Sequence, residues 1–136
     1  MSSITGVAHV ELSVSNLDAS VAWYAQLLGA RDVFRATNDH EGFAACALLE
    51  PASGMILAFT EHQRLEGGPF TPRRVGLDHL SFAVASEEHL RAWLSRLASL
   101  GVANSGIEDY GYALAITFAD PDGIALELLY SRPRGG

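Results

Sequence analysis

Lysine is missing altogether from this chain of 136 residues, and all nine basic residues are arginine. That excludes Schiff-base chemistry on a lysine amine and the phosphate-binding lysine of a P-loop. Cysteine is almost as scarce. Cys46 stands alone, so neither an internal disulfide nor a cysteine-based zinc cluster is available. No run approaches the ~18 consecutive apolar residues of a membrane span. The N-terminus also lacks the basic stretch and apolar run of a secretory signal. Positive charge is in deficit, with a formal net charge of −7. A general nucleic-acid or anionic-membrane surface would need a basic patch, so both partners are unexpected. These absences leave a cytoplasmic location as the expectation.

About half of the residues, 49%, are apolar, enough for the core of one domain at this length. Their spacing is ordered. Residues 7–14 alternate and read as a strand. Leu17, Val21, Tyr24 and Leu28 then recur at helical spacing, with Ser15 or Asn16 as N-cap and Gly29 as the stop. Three strands are expected at about 31–37, 43–49 and 55–60, separated by turn residues. Residues 61–76, rich in Gly, Pro and Arg, read as a linker. The pattern then restarts with a strand at 77–84 and a helix carrying Leu90, Trp93, Leu94 and Leu97 on one face. Ser86 is its N-cap and Gly101 its stop. Strands follow at about 102–108, 112–118 and 124–130, the last two joined by the turn AspProAspGly at 120–123. The tail from Ser131 reads as frayed. The order βαβββ is thus written twice, at about 5–60 and 77–130, with His9 and His79 seventy residues apart at equivalent places.

With the stretches WYAQLLGA at 23–30, GLDHLSFAV at 76–84 and FADPDGIALELL at 118–129, the chain resembles the vicinal oxygen chelate superfamily of glyoxalase I, bleomycin-resistance proteins and extradiol dioxygenases. The likeness spans nearly the whole chain. It implies an α+β fold, a single domain over 1–136 with two βαβββ modules forming an eight-stranded cup, and a homodimer. It also implies a metal on the concave face, held by His9, His79 and Glu127. Alternation agrees, because each of these side chains falls on the face opposite its strand's larger apolar residues. Two imidazoles and a carboxylate suit Fe, Mn, Ni, Co or Zn, and three protein ligands leave positions open for substrate.

The chain departs from better-known members at two places. A fourth ligand would fall on Leu57 or Ala58, and neither binds metal, while Glu61 and Gln63 lie farther along. This counts against ordinary glyoxalase I chemistry. A tyrosine usual in extradiol dioxygenases and fosfomycin-modifying thiol transferases is replaced by Thr117. Tyr110 and Tyr112 are candidates to reach the pocket in its place, or else rim aromatics. Glu11 shares the face of His9 and is a candidate general base or a group supporting the ligands. Its plainer reading is an edge charge paired with an arginine such as Arg73 or Arg74. Leu57 and Phe59 are pocket wall or core, and Cys46 is a small buried hydrophobe. His40, His62 and His89 read as ordinary histidines. The expectation is a divalent-metal enzyme acting on an oxygen-chelating substrate by dioxygenase, lyase or isomerase chemistry. The alternative is a non-catalytic binding protein of the bleomycin-resistance kind.

Overall fold

In the computed structural model, which describes residues 2–134, the alternation after His9 becomes strand β1 (Val10–Ser13). Asn16 then starts helix α1 (Leu17–Leu28), its side-chain oxygen accepting the Ala19 N–H at 3.0 Å. A second cap comes from far along the chain, where the Glu61 carboxylate accepts the Leu17 N–H at 2.8 Å. The helix ends on Gly29, left-handed at φ 62°, a conformation that only glycine adopts without strain. Strands β2 (Arg31–Asn38), β3 (Phe43–Glu50) and β4 (Met55–His62) complete this unit. The sheet order is β1-β4-β3-β2, with β1 parallel to β4 and the other pairs antiparallel. Helix α1 packs on β3 and β4 through Leu17, Val21, Tyr24 and Leu27. Leu27 is buried more deeply than Leu28, which the spacing had favoured.

The second unit repeats the plan as β5 (Leu80–Ala83), α2 (Glu87–Ser99), β6 (Glu108–Asp109), β7 (Ala113–Ala119) and β8 (Ala125–Ser131). Its order is β5-β8-β7-β6, with β5 parallel to β8. Ser86 caps α2, accepting the His89 N–H at 3.1 Å. Acidic Glu87 and Glu88 in the first turn and Arg96 in the last complement the helix dipole. Leu90 and Leu97 are fully buried, as are Ile116, Leu126 and Leu128, while Trp93 and Leu94 are half-buried. The chain divides into these two compact units between Gly68 and Pro69, within the stretch that sequence assigns to a linker.

Two elements are corrected. The strand expected at 102–108 shrinks to the two residues of β6, preceded by one isolated bridge between Asn104 and Phe118. The Asn104 side chain accepts the Gly106 N–H at 2.8 Å and Gly106 sits at φ 73°, so this polar stretch turns on itself instead of extending. The tail is tied down at its start. The Arg132 N–H donates to the Tyr112 carbonyl at 2.8 Å, and its guanidinium grips both Asp109 oxygens at 2.6 and 2.9 Å. Gly135 and Gly136, at the tail's end, lie outside the described residues.

The Arg132 grip holds the Asp109 carboxyl at a pKa of about 2, below its ordinary 3.8, with the Gly111 N–H adding to the effect. A depressed carboxylate stabilises the fold above its unfolded value and ceases to do so as pH falls through the folded one. The stability difference between wild type and Asp109→Asn should therefore be constant above pH ~5 and vanish between pH ~4 and ~2. Urea denaturation across that range checks it, and a difference that persists at the acid end contradicts the tie.

Candidate metal centre

Residue placement here is decided by the turns and the register. In the second unit the Asp120 carboxylate accepts the N–H groups of Asp122 at 2.8 Å and Ile124 at 2.9 Å, and Gly123 takes φ 80°. This turn sets β8 against β7 so that Glu127 pairs with Thr117. On its other side Glu127 pairs with Ser81 of β5. Ser81, Glu127 and Thr117 thus form one row across three strands, on the face opposite Leu126 and Leu128.

Glu127 is only 9% exposed. The Ser81 hydroxyl donates to its Oε1 at 2.8 Å, and the same oxygen lies 3.9 Å from His79 Nε2. That gap is too long for a hydrogen bond. It suits two donors sharing an ion about 2.0–2.2 Å from each. The other ring nitrogen, Nδ1, is 2.7 Å from the Asp78 carboxylate. With Nδ1–H donated there, Nε2 keeps its lone pair facing Glu127, the arrangement that fixes a metal-binding imidazole. The chemistry of this donor set therefore fits a divalent cation, and a cation would also offset the cost of a carboxylate held away from water.

The first unit carries a second pair. His9 Nε2 lies 3.7 Å from Glu11 Oε1, and the Thr60 hydroxyl donates to Glu11 Oε2. Both histidines sit one residue before the strands that the alternation had assigned them to. Among the described residues, no three His, Cys, Asp or Glu side chains are gathered into a set that holds an ion. Each unit instead sets one histidine Nε2 opposite one carboxylate oxygen, His9 with Glu11 and His79 with Glu127.

Several other sequence candidates are now placed. Tyr110 is 42% exposed; partial burial, then the charges of Glu108 and Glu127, push its phenol above the ordinary value. It therefore remains a hydrogen-bond donor at neutral pH and lies within electrostatic reach of Glu127. Tyr112 is more exposed, and Thr117 is half-buried. Leu57 and Phe59 are core and not pocket wall, at 2% and 0% exposure, with the Phe59 ring 4.7 Å from that of Tyr24 in α1. Glu61 follows them on that helix-facing side, which is why it caps α1. Cys46 is buried, and burial pushes its thiol pKa up. His89 sits in the Ser86 cap, and His40 and His62 line an open cleft of about 400 Å³ at the β2–β3 turn. Asp78, Ser81 and Thr60 were missed as supporting groups. Asp78 adjoins His79, while Ser81 stands two residues beyond it, on the same face by alternation, so both were open to a reading that followed the face instead of the ligands alone.

Residues 6–128 match the family model for the Glyoxalase/Bleomycin resistance protein/Dioxygenase superfamily. A curated relative from Bacillus subtilis (strain 168), named "Putative ring-cleaving dioxygenase MhqA", is 31% identical over 134 residues. The alignment takes in 96% of this chain but 41% of that protein, so the chain spans about two-fifths of the relative's length. Among solved structures, the glyoxylase/bleomycin resistance protein/dioxygenase domain from Frankia sp. EAN1pec superposes with a TM-score of 0.87 at 33% identity, covering 98% of this chain and 96% of that one. The fosfomycin resistance protein FosX from Listeria monocytogenes, solved with Mn(II) and sulfate, shares the fold with a TM-score of 0.69 at 21% identity, over 96% and 95% of the two chains.

Proposed function

Since the chain belongs to the glyoxalase/bleomycin resistance protein/dioxygenase superfamily, we propose that it is a divalent-metal-dependent enzyme acting on a small substrate that presents neighbouring oxygens. The observation that carries this reading is the facing of His79 Nε2 and the buried Glu127 carboxylate across 3.9 Å, with Asp78 behind the ring. His79 and Glu127 would hold the ion, and His9 would supply the third ligand, from the same chain or from a second copy in a homodimer. Bound there, Fe, Mn, Ni, Co or Zn would supply Lewis-acid stabilisation of charge developing on a substrate oxygen.

The remaining roles belong to the chain's own side chains. Asp78 holds the His79 tautomer, and Ser81 holds the Glu127 carboxylate in place. Thr117, in the same row, lines the substrate side, where Tyr110 offers its phenol proton to a substrate oxygen and Tyr112 stands beside it. The largely covered setting of Glu127 strengthens each of these contacts. The name of the Bacillus relative supports ring cleavage as the first reaction class to test. Anaerobic purification followed by metal analysis is the direct experiment. A screen of aromatic diols, α-ketoaldehydes and electrophilic antibiotics then assigns the reaction. Protein that binds no divalent ion in that experiment contradicts the reading.

Thr117 narrows the expectation. A threonine side chain is shorter than a tyrosine, so the hydroxyl at this position reaches less far toward a bound diol. Simple catechols should therefore be cleaved weakly or not at all by the Fe(II)-loaded chain. Steady turnover near ~10 s⁻¹, ordinary for an enzyme, would show otherwise. A cytoplasmic homodimer completes the proposal; among the described residues no helix is long and apolar enough to cross a membrane. Light scattering at micromolar concentration tests the dimer, and a monomer there would remove it.

A further inference from the structure

We propose that Glu11 is itself a metal ligand: the carboxylate of the first module, transferred from its last strand to its first. This deepens the metal-centre reading above and rests on it. The two modules can be compared position by position through their registers. Val10 pairs with Leu57 as Leu80 pairs with Leu126, and Glu11 pairs with Ala58 as Ser81 pairs with Glu127. Ala58 is therefore the structural equivalent of Glu127, which resolves the choice between Leu57 and Ala58 left open by the sequence. The equivalent of Ser81 is Glu11. In the second unit the row holds a hydroxyl on the first strand and a carboxylate on the last. In the first unit it holds a carboxylate on the first strand and a methyl group on the last.

The transfer preserves the polar partners of the carboxylate, although Glu11 is the more exposed of the two. In both units the histidine stands two residues before the row, on the first strand's side. Its Nε2 lies 3.7 Å from the Glu11 oxygen and 3.9 Å from the Glu127 oxygen. In both units a hydroxyl from the adjacent strand orients the carboxylate: Ser81 from β5 for Glu127, Thr60 from β4 for Glu11. Thr60 takes Oε2 and leaves Oε1 turned to His9. Each nitrogen–oxygen gap is too long for a hydrogen bond and accommodates one ion at about 2.0–2.2 Å from both atoms. Ala58, paired with Glu11, brings no donor of its own to the row. Glu11 would then stand toward His9 as Glu127 stands toward His79, each pair offering one imidazole and one carboxylate.

The test uses the full chain stripped of metal with chelator and titrated with Mn(II) alone, free Mn(II) being counted by electron paramagnetic resonance. Wild type is compared with Glu11→Gln and with Glu127→Gln, and circular dichroism verifies that each variant is folded. Glu11→Gln should bind Mn(II) at least about tenfold more weakly, a loss at the lower end of what even the groups behind metal ligands produce. The visible bands of the Co(II)-loaded protein should also move. If Glu127→Gln is weakened while Glu11→Gln matches wild type in both readouts, the transferred ligand is overturned and the three-ligand centre stands. If both variants bind Mn(II) as wild type does, the metal-centre reading itself falls.

Discussion

Glu127→Gln should bind Mn(II) at least about a hundredfold more weakly than wild type while keeping its fold. Removing groups that merely support metal ligands costs 10–100-fold in affinity, and Glu127 is proposed as a ligand carrying a full charge. The amide keeps the carboxylate's shape, and its carbonyl oxygen still accepts the Ser81 hydroxyl, so the row across β5, β8 and β7 has no reason to reorganise. A second readout separates a ligand from a structural acid. With Glu127 only 9% exposed, its charge opposes folding unless a cation is near. The metal-free variant should therefore melt at the same temperature as metal-free wild type or above it, whereas the same concentration of Mn(II) should raise wild type more than the variant. A variant that melts lower without metal and binds Mn(II) normally would mark Glu127 as part of the core.

The other large effect is expected at Phe59. Its ring is fully enclosed and lies 4.7 Å from Tyr24, joining the centre of β4 to the buried face of α1. Phe59→Ala removes that ring from the least accessible part of the first unit, and Phe→Ala changes at such sites cost about 3–5 kcal/mol. Urea denaturation should show the loss, and one below ~1 kcal/mol would contradict the packing described. Phe59 faces α1, whereas Ala58 and Thr60 lie on the other side of the strand. Mn(II) affinity of the folded fraction should accordingly change little, the reverse of the Glu127 pattern.

What could be read from the sequence follows a physical divide. Asn16, Gly29, Ser86 and the AspProAspGly turn act within a few residues of themselves, so their roles were visible in order. The repeated βαβββ pattern was visible for the same reason, since alternation and helical spacing are local properties. The strand at 102–108 was overestimated because apolar Val102 and Ile107 flank a stretch in which Asn104 and Gly106 prefer to turn. The site was partly legible. Alternation put His79 and Ser81 on one face, but which residue of β8 meets Ser81 depends on a pairing that spans 46 positions. The same holds for Thr60 and Glu11, 49 positions apart, and for Glu61, whose use as a helix cap no local pattern announces. Leu57 and Phe59 stayed divided between core and pocket because a period of two separates faces without saying which one the helix covers.

The parallel pairing of β1 with β4, and of β5 with β8, bears on when each half of the centre comes into being. In both modules the histidine precedes the first strand, and the hydroxyl–carboxylate bond joins that strand to the last. A helix and two strands lie between these ends, so their meeting is a long-range contact whose loop-closure entropy is offset most readily once the intervening contacts exist. A chain still emerging from the ribosome would hold His79 long before Glu127 has been made. Capture of the proposed ion would thereby be reserved for finished modules. Bound to the native state and not to its precursors, the proposed ion would add its whole binding free energy to the stability of the folded protein.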